Sequence, residues 1–235
     1  VHVRRWLVLP RPFRAASLPA HATVALMVSS RWLYDQAEQE YRDARTGSVV
    51  SDADLQDLAN QFLDGQQRRI DSLMSELADQ RIALSYWENS MREVIKDAHG
   101  VAYVLGRGGR NAMHATDWGR VGRYVQGQFT YLNQFARDIA GGQVSQAQAQ
   151  VRARLYIGSA RAALSRGAAS AAGGLALPQY PGDGSTPCLG NCRCWWRLTQ
   201  TQTEWQAHWI SVADINSCEE CVARGTRWNP LVIPL

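Results

Sequence analysis

The chain reads as a mainly α protein, a long-helix body followed by a small C-terminal β-hairpin module of zinc-knuckle type. Three observations predict this. Apolar residues recur at helical spacing through most of the first 170 positions, an alanine-rich run follows a serine cap at 145, and all five cysteines fall in the last 48 of 235 residues. The hydrophobic fraction of 46% suffices for a sizeable core, so wholesale disorder is excluded.

Taken in order, residues 1–16 read as a basic arm carrying Arg4, Arg5, Arg11 and Arg14. Arg4-Arg5-Trp6-Leu7-Val8-Leu9 opens like a signal peptide, but its apolar run ends at Pro10, short of the roughly 7–15 residues such a leader needs. No stretch approaches the ~18–20 apolar residues of a membrane span. Ser17-Leu18-Pro19 offers a cap and a first-turn proline for a helix over 20–45, ending near Gly47. Ser51-Asp52-Ala53-Asp54 caps the next, with acids favourable to the helix dipole. Leu55, Leu58, Phe62, Leu63, Ile70, Leu73, Met74, Leu77, Ile82, Leu84, Met91, Val94, Ile95 and Ala98 then predict one long amphipathic stretch, with Gly65 a point of interruption.

Gly100 and Gly106-Arg107-Gly108-Gly109-Arg110 break that pattern. Thr116 or Asp117 caps a helix whose stripe is Val121, Tyr124, Val125, Leu132, Phe135 and Ile139, stopped by Gly141-Gly142. Ser145 caps a last long helix, 146–170, with Val151, Leu155 and Ala162 as its apolar positions. Glycines and prolines make 173–187 a linker. Trp195–Thr199 and Trp205–Ile210 read as the two strands of a hairpin. The expected organisation is therefore an arm at 1–16, a helical domain at 17–172, a linker at 173–187 and a cysteine module at 188–235.

The net charge of +4 is mild but unevenly spread. Residues 1–34 hold five arginines and no acid, 35–97 hold fourteen acids against seven bases, and 98–194 hold ten arginines against three acids. Basic flanks suit contact with nucleic acid or an acidic protein face, and Arg107, Arg110, Arg120 and Arg123 join the arm's arginines as contact candidates. Solvated helix faces account for the same charges, and a GC-rich coding sequence accounts for the excess of arginine over the single Lys96.

The cysteines form two clusters, Cys188-Leu-Gly-Asn-Cys192-Arg-Cys194 and Cys218-Glu-Glu-Cys221. Two short-spaced groups separated by a hairpin can supply the four soft ligands of one structural zinc. The pair Cys188 and Cys192 with Cys218 and Cys221 is the preferred set, and Cys194 is the spare or replaces Cys192. Two disulfides with one odd thiol, or unligated buried thiols, remain the other readings.

At these residues a resemblance emerges. Pro178-Gln-Tyr-Pro-Gly-Asp-Gly-Ser-Thr-Pro-Cys188-Leu-Gly-Asn191-Cys192-Arg193-Cys194 resembles the Asn-Cys-Arg-Cys ending of minor capsid, or head-morphogenesis, proteins of tailed bacteriophages, the group of the Mu-type minor head protein. Arg152-Ala-Arg154-Leu-Tyr-Ile-Gly-Ser-Ala-Arg161-Ala is similar to that family's Arg-rich helix, without the acid often found in its middle. Trp209-Ile-Ser-Val-Ala-Asp214-Ile-Asn-Ser-Cys218-Glu-Glu-Cys221 is similar to its Trp…Asp…Cys-x-x-Cys segment. The family places Cys-x-x-Cys first; here the two halves are reversed, and Leu189-Gly190 stands where the family has His-Pro. The resemblance implies a structural role in the virion or procapsid, formed in the host cytoplasm. Portal and major capsid proteins would be its partners and DNA a further contact, with neither membrane nor small-molecule substrate.

No enzyme motif competes. His2, His21, His99, His114 and His208 lack metal-hydrolase spacing, no Gly-x-Ser-x-Gly elbow occurs, and Gly106–Arg110 lacks the ending of a P-loop. Asp52, Asp54 and Asp57 lack the rest of an EF-hand loop. Trp195, Trp196, Trp205 and Trp209 could stack bases or fill a small core. The alternative to a capsid role is a zinc-ribbon-like nucleic-acid-binding protein.

Overall fold

The structure, a computed structural model, describes residues 32–35, 37–38, 40–189, 192–211 and 218–235. The basic arm, with Arg4, Arg5, Arg11 and Arg14, and the cap expected at Ser17 lie outside these residues. The described chain is mainly α-helical, as the hydrophobic periodicity predicts, and carries two small antiparallel sheets, of which the sequence predicts only the C-terminal hairpin. No described helix is long and apolar enough to cross a membrane.

The first sheet corrects the helix expected over 20–45. From Trp32 onward this region forms β1 (Trp32–Asp35), β2 (Glu40–Asp43) and β3 (Val49–Val50), antiparallel in the order β1-β2-β3. Turn chemistry overrides the periodicity. Asp43 Oδ1 accepts from the backbone N–H of Arg45 at 2.9 Å and of Thr46 at 3.1 Å, and Gly47 takes a positive φ of 71°. Across the ladder Tyr34 pairs with Tyr41, ring centroids 5.0 Å apart, an aromatic pairing suited to strands.

The expected single stretch after Ser51 is two helices, α1 (Asp52–Ala78) and α2 (Leu84–Arg107). Ser51 and Asp54 form the capping box of α1. The break needs neither glycine nor proline: Gln80 adopts φ 57° and the Arg81 amide returns to the Glu76 carbonyl at 2.8 Å. Gly65 and Gly100 lie inside helices and interrupt nothing. The stop falls at Gly108, left-handed at φ 95°, whose missing side chain leaves room for Tyr34 of β1.

A 3-10 turn at Arg110–Ala112 leads to α3 (Ala115–Ala140), which ends at Gly141 as expected. Its N-cap is His114 and not Thr116 or Asp117. Asp117 sits three residues inside, capping the His114 amide and pointing into the protein. Ser145, boxed with Gln148, starts α4 (Gln146–Ala171). Its buried face is Ala149, Ala153, Tyr156, Ile157, Ala160, Ala163 and Leu164, whereas Val151 and Leu155 are exposed. The core side of α4 is thus marked by small residues, not by its larger aliphatics.

That choice follows from how α4 packs. His99 meets Ser159 and Tyr103 meets Gly167, so α2 and α4 run in the same direction against each other. A Cβ at Gly106 would collide with the Leu164 carbonyl oxygen and approach the Ala168 nitrogen to 2.9 Å. A Cβ at Gly167 would collide with the Tyr103 carbonyl oxygen and approach the Arg107 nitrogen to 2.9 Å. The two glycines face each other's helix and let the backbones touch. Around this crossing Trp87, Met91, Val94, Ile95, Leu105, Leu132 and Phe135 form the body core, with Trp87 and Phe135 edge to face at 5.4 Å.

Buried beside the crossing, Asp117 of α3 joins three helices. Its carboxylate accepts from Tyr103 Oη at 2.9 Å and Arg107 Nε at 3.2 Å of α2, and from Ser170 Oγ at 2.7 Å of α4. Burial pushes its pKa up, but the His114 amide, Ser170, Tyr103 and Arg107 outweigh it and hold the carboxyl at about 2. The arginines of α4 stitch the helices from outside: Arg152 to Asp138 at 2.6 Å, Arg154 to Asp71 at 3.1 Å and Arg161 to Asp64 at 3.8 Å.

Two outcomes are expected. Gly167→Ala should destabilise the fold by about 3 kcal/mol, the upper range of overpacking costs, in urea unfolding. Gly122→Ala, in open space on α3, should leave it unchanged or slightly more stable. Burial, helped by Arg166, lowers the His99 pKa from 6.5 to about 4. The unfolded state therefore takes up a proton near pH 6.5 that the folded state refuses until near 4. Stability should be full above the first value and fall by up to about 3 kcal/mol as pH drops through that window. His99→Gln should flatten this slope; an unchanged slope would show that another group causes it.

Candidate metal centre

After α4 the chain crosses 173–187 as a strap fastened to the helix. Gly182 lies so close to α4 that a Cβ there would be 2.9 Å from the Gly158 carbonyl oxygen. Asp183 folds the strap, accepting from the Tyr180 amide at 2.8 Å and the Ser185 amide at 2.9 Å. Leu177, Pro181 and Thr186 are buried. This segment delivers Cys188 to the second core.

That core is built on the expected hairpin, β4 (Trp195–Gln200) and β5 (Glu204–Ile210), extended by a third strand, β6 (Leu231–Pro234), which pairs with β5. Sequence reasoning missed β6 and also α5 (Glu219–Arg227), whose N-cap is Cys218. Trp196 packs edge-on against Trp209 at 5.2 Å and beside Trp228 at 5.3 Å. Trp196 and Trp209 fill this core, and Trp205 is buried beside the end of α4, so these three rings are not surfaces for stacking bases. Arg224 of α5 is buried over Trp209 and Trp228. It reaches back to the strap, donating to Ser185 Oγ at 3.0 Å and to the Ser185 carbonyl at 2.8 Å, and it pairs with Glu220 at 3.1 Å. One guanidinium thus fixes α5 to the segment that carries Cys188.

The five thiols converge on this scaffold, and together they could hold a metal ion. Cys188 and Cys221 lie 3.7 Å apart at sulfur, as do Cys192 and Cys221, and Cys218 and Cys188. Two triangles result, Cys188–Cys218–Cys221 and Cys192–Cys194–Cys221, each with all sulfurs within 4.8 Å. Cys221 belongs to both. The cysteines are free, and their spacing is nearly twice the ~2.05 Å of a disulfide bond. Hydrogen bonding, first from Cys194 and then from its other neighbours, outweighs burial and brings the Cys192 thiol down to about 5. The Cys194 thiol is pushed up by the same contact, and that of Cys221 by burial. Sulfurs this close shed all their protons only around a cation.

The other sequence candidates have separate fates. Arg107 is 6% exposed and tied to Asp117, so it holds the body together and offers nothing to an outside phosphate. Arg120 is partly exposed and also reaches Asp117, at 3.4 Å. Arg110 and Arg123 are exposed. Asp54 serves the α1 cap, and Asp52 pairs with Arg197 of β4 at 3.5 Å, linking body to module. His114 caps α3 and His99 is buried against Ser159, so neither stands near the thiols.

No family model, curated protein or solved structure matches the chain. The thiol cluster therefore carries the functional argument on its own geometry.

Because Cys221 is shared by both triangles, Cys221→Ser should abolish metal uptake, while Cys194→Ser should retain it. Helical circular dichroism should persist in both, since the body core is separate from the module core. Collapse of the helical signal in Cys221→Ser would contradict that separation.

Proposed function

We propose that this chain is a structural head-morphogenesis protein of a tailed bacteriophage, of minor capsid type, with a C-terminal module closed by one structural zinc. The observation that supports it is the meeting of the Asn-Cys-Arg-Cys half and the Cys-x-x-Cys half at Cys221. The two motifs of the resembled family form one cluster despite their reversed order, as a metal indifferent to chain direction permits. Zinc held at about 2.3 Å by tetrahedral thiolates sets sulfurs about 3.8 Å apart. The three 3.7 Å edges join Cys192, Cys221, Cys188 and Cys218 in an open series. Cys188, Cys218 and Cys221 already form one closed face, and Cys192 reaches that face only through Cys221, so metal binding would draw it in to complete the tetrahedron. Those four are the proposed ligands, with Cys194 as the buried neighbour of Cys192. Four thiolates leave no position for water or substrate, so the metal shapes the module and does no chemistry.

In this role the helical body and the module are contact surfaces for portal and major capsid proteins in the procapsid or virion. Exposed Arg110 and Arg123 favour a second reading, a zinc-ribbon-like protein that binds nucleic acid through phosphate contacts. Purified under reducing conditions, the protein should carry about one zinc per chain; metal analysis finding none would overturn the zinc assignment. Co-expressed with the portal and coat proteins of its own genome, it should sediment with them. Failure to do so, together with DNA affinity that falls steeply with salt, would favour the second reading.

A further inference from the structure

We propose that the cavity between α3, α4 and the strap is a binding site for a single phosphate group. The inference is independent of the thiol cluster and of the capsid reading. The cavity, about 180 Å³, is lined by Tyr103, Arg120, Tyr124, Arg166, Ser170 and Tyr180, among others. Two guanidiniums face it and no carboxylate does. Asp117 lies behind the wall, its oxygens already engaged by Tyr103, Arg107, Arg120 and Ser170.

Arg166 decides the argument. Arg152, Arg154 and Arg161 on the same helix each pair with an aspartate. Arg166 instead lies between two rings, 4.5 Å from the Tyr124 centroid and 4.9 Å from that of Tyr180. Ring faces hold the guanidinium plane but accept none of its N–H groups along the edge, and no described carboxylate does so either. Beside it Arg120 gives one terminal nitrogen to Asp117 and Ser170 and also engages the Tyr103 phenol, and, partly exposed, it still presents guanidinium N–H groups at the cavity wall. Two forks meeting at one small space, with the phenols of Tyr124 and Tyr180 at hand, match a tetrahedral oxyanion with several acceptor oxygens. A planar carboxylate would leave more of these donors unmet. The volume lies well below the roughly 300–1,000 Å³ of pockets for larger ligands, so one phosphate is the fitting size.

The test uses the full-length protein and inorganic phosphate, with chloride added to hold ionic strength constant. Phosphate should raise the melting temperature of the wild type and broaden its own 31P resonance. Arg166→Gln should weaken binding at least about tenfold, the loss of one charge-assisted contact. Should that variant loosen the strap, Arg166→Lys keeps the charge without the fork and should still weaken binding several-fold. Arg68→Gln, on the exposed face of α1 and outside the cavity, should bind as wild type. Phosphate acting no better than chloride, or equally on wild type and both Arg166 variants, would overturn the site. Competition by a 5′-phosphorylated dinucleotide, but not its dephosphorylated form, would place the phosphate on a nucleic-acid end. Competition by neither would make it the free ion, and competition by the dephosphorylated form would refute a phosphate site.

Discussion

The rest of the structure depends on the backbone contact between α2 and α4 at Gly106 and Gly167. In an up-down bundle two helices running the same way are ordinarily kept apart by the antiparallel neighbours between them. Here the absence of two side chains brings them together. This contact sets Tyr103 and Arg107 of α2 and Ser170 of α4 around the carboxylate that α3 contributes. It also places the end of α2 beneath the first sheet, where Tyr41 Oη donates to the Gly106 carbonyl. The end of α4, at Ala169, reaches into the second core. Both sheets are therefore attached to the far end of one helix crossing.

Asp117 shows how charge is tolerated at such a place. A carboxylate 1% exposed would raise its pKa and neutralise if it stood alone. Surrounded by donors from three helices it stays ionised, and its demand for partners fixes their rotation about their axes. Truncating any one donor would leave the others competing for an altered geometry, so the helices are specified as a set and not pair by pair.

What the sequence discloses depends on whether the signal is local. The caps at Ser51 and Ser145, the stop at Gly141 and the hairpin around its Thr and Gln residues each announce themselves within a few positions. The convergence of the thiols was legible for a different reason: soft ligands at short spacing have few uses. The first sheet was hidden because its strands are two to four residues long, too short to show alternation. The α4 stripe was misplaced because Val151 and Leu155 are the larger hydrophobes, whereas close packing selects alanine and glycine. Neither the role of Gly167 nor the partners of Asp117 can be read locally, since Asp117 and Ser170 stand 53 positions apart. The same holds for Arg166, whose surroundings come from α3 and from the strap.

The three indoles of Trp196, Trp209 and Trp228 lie within 5.2–5.7 Å of one another, tilted or perpendicular, in a module whose thiols belong to the same core. Rings held that near in a fixed chiral arrangement share their electronic excitation. Their ultraviolet transitions then carry a signature that isolated indoles lack. The body contributes mainly to the peptide band at shorter wavelength. Coupling among three indoles thus gives the carboxy-terminal core a spectroscopic mark of its own, over and above the separate aromatic contacts of the body, such as Trp87 on Phe135.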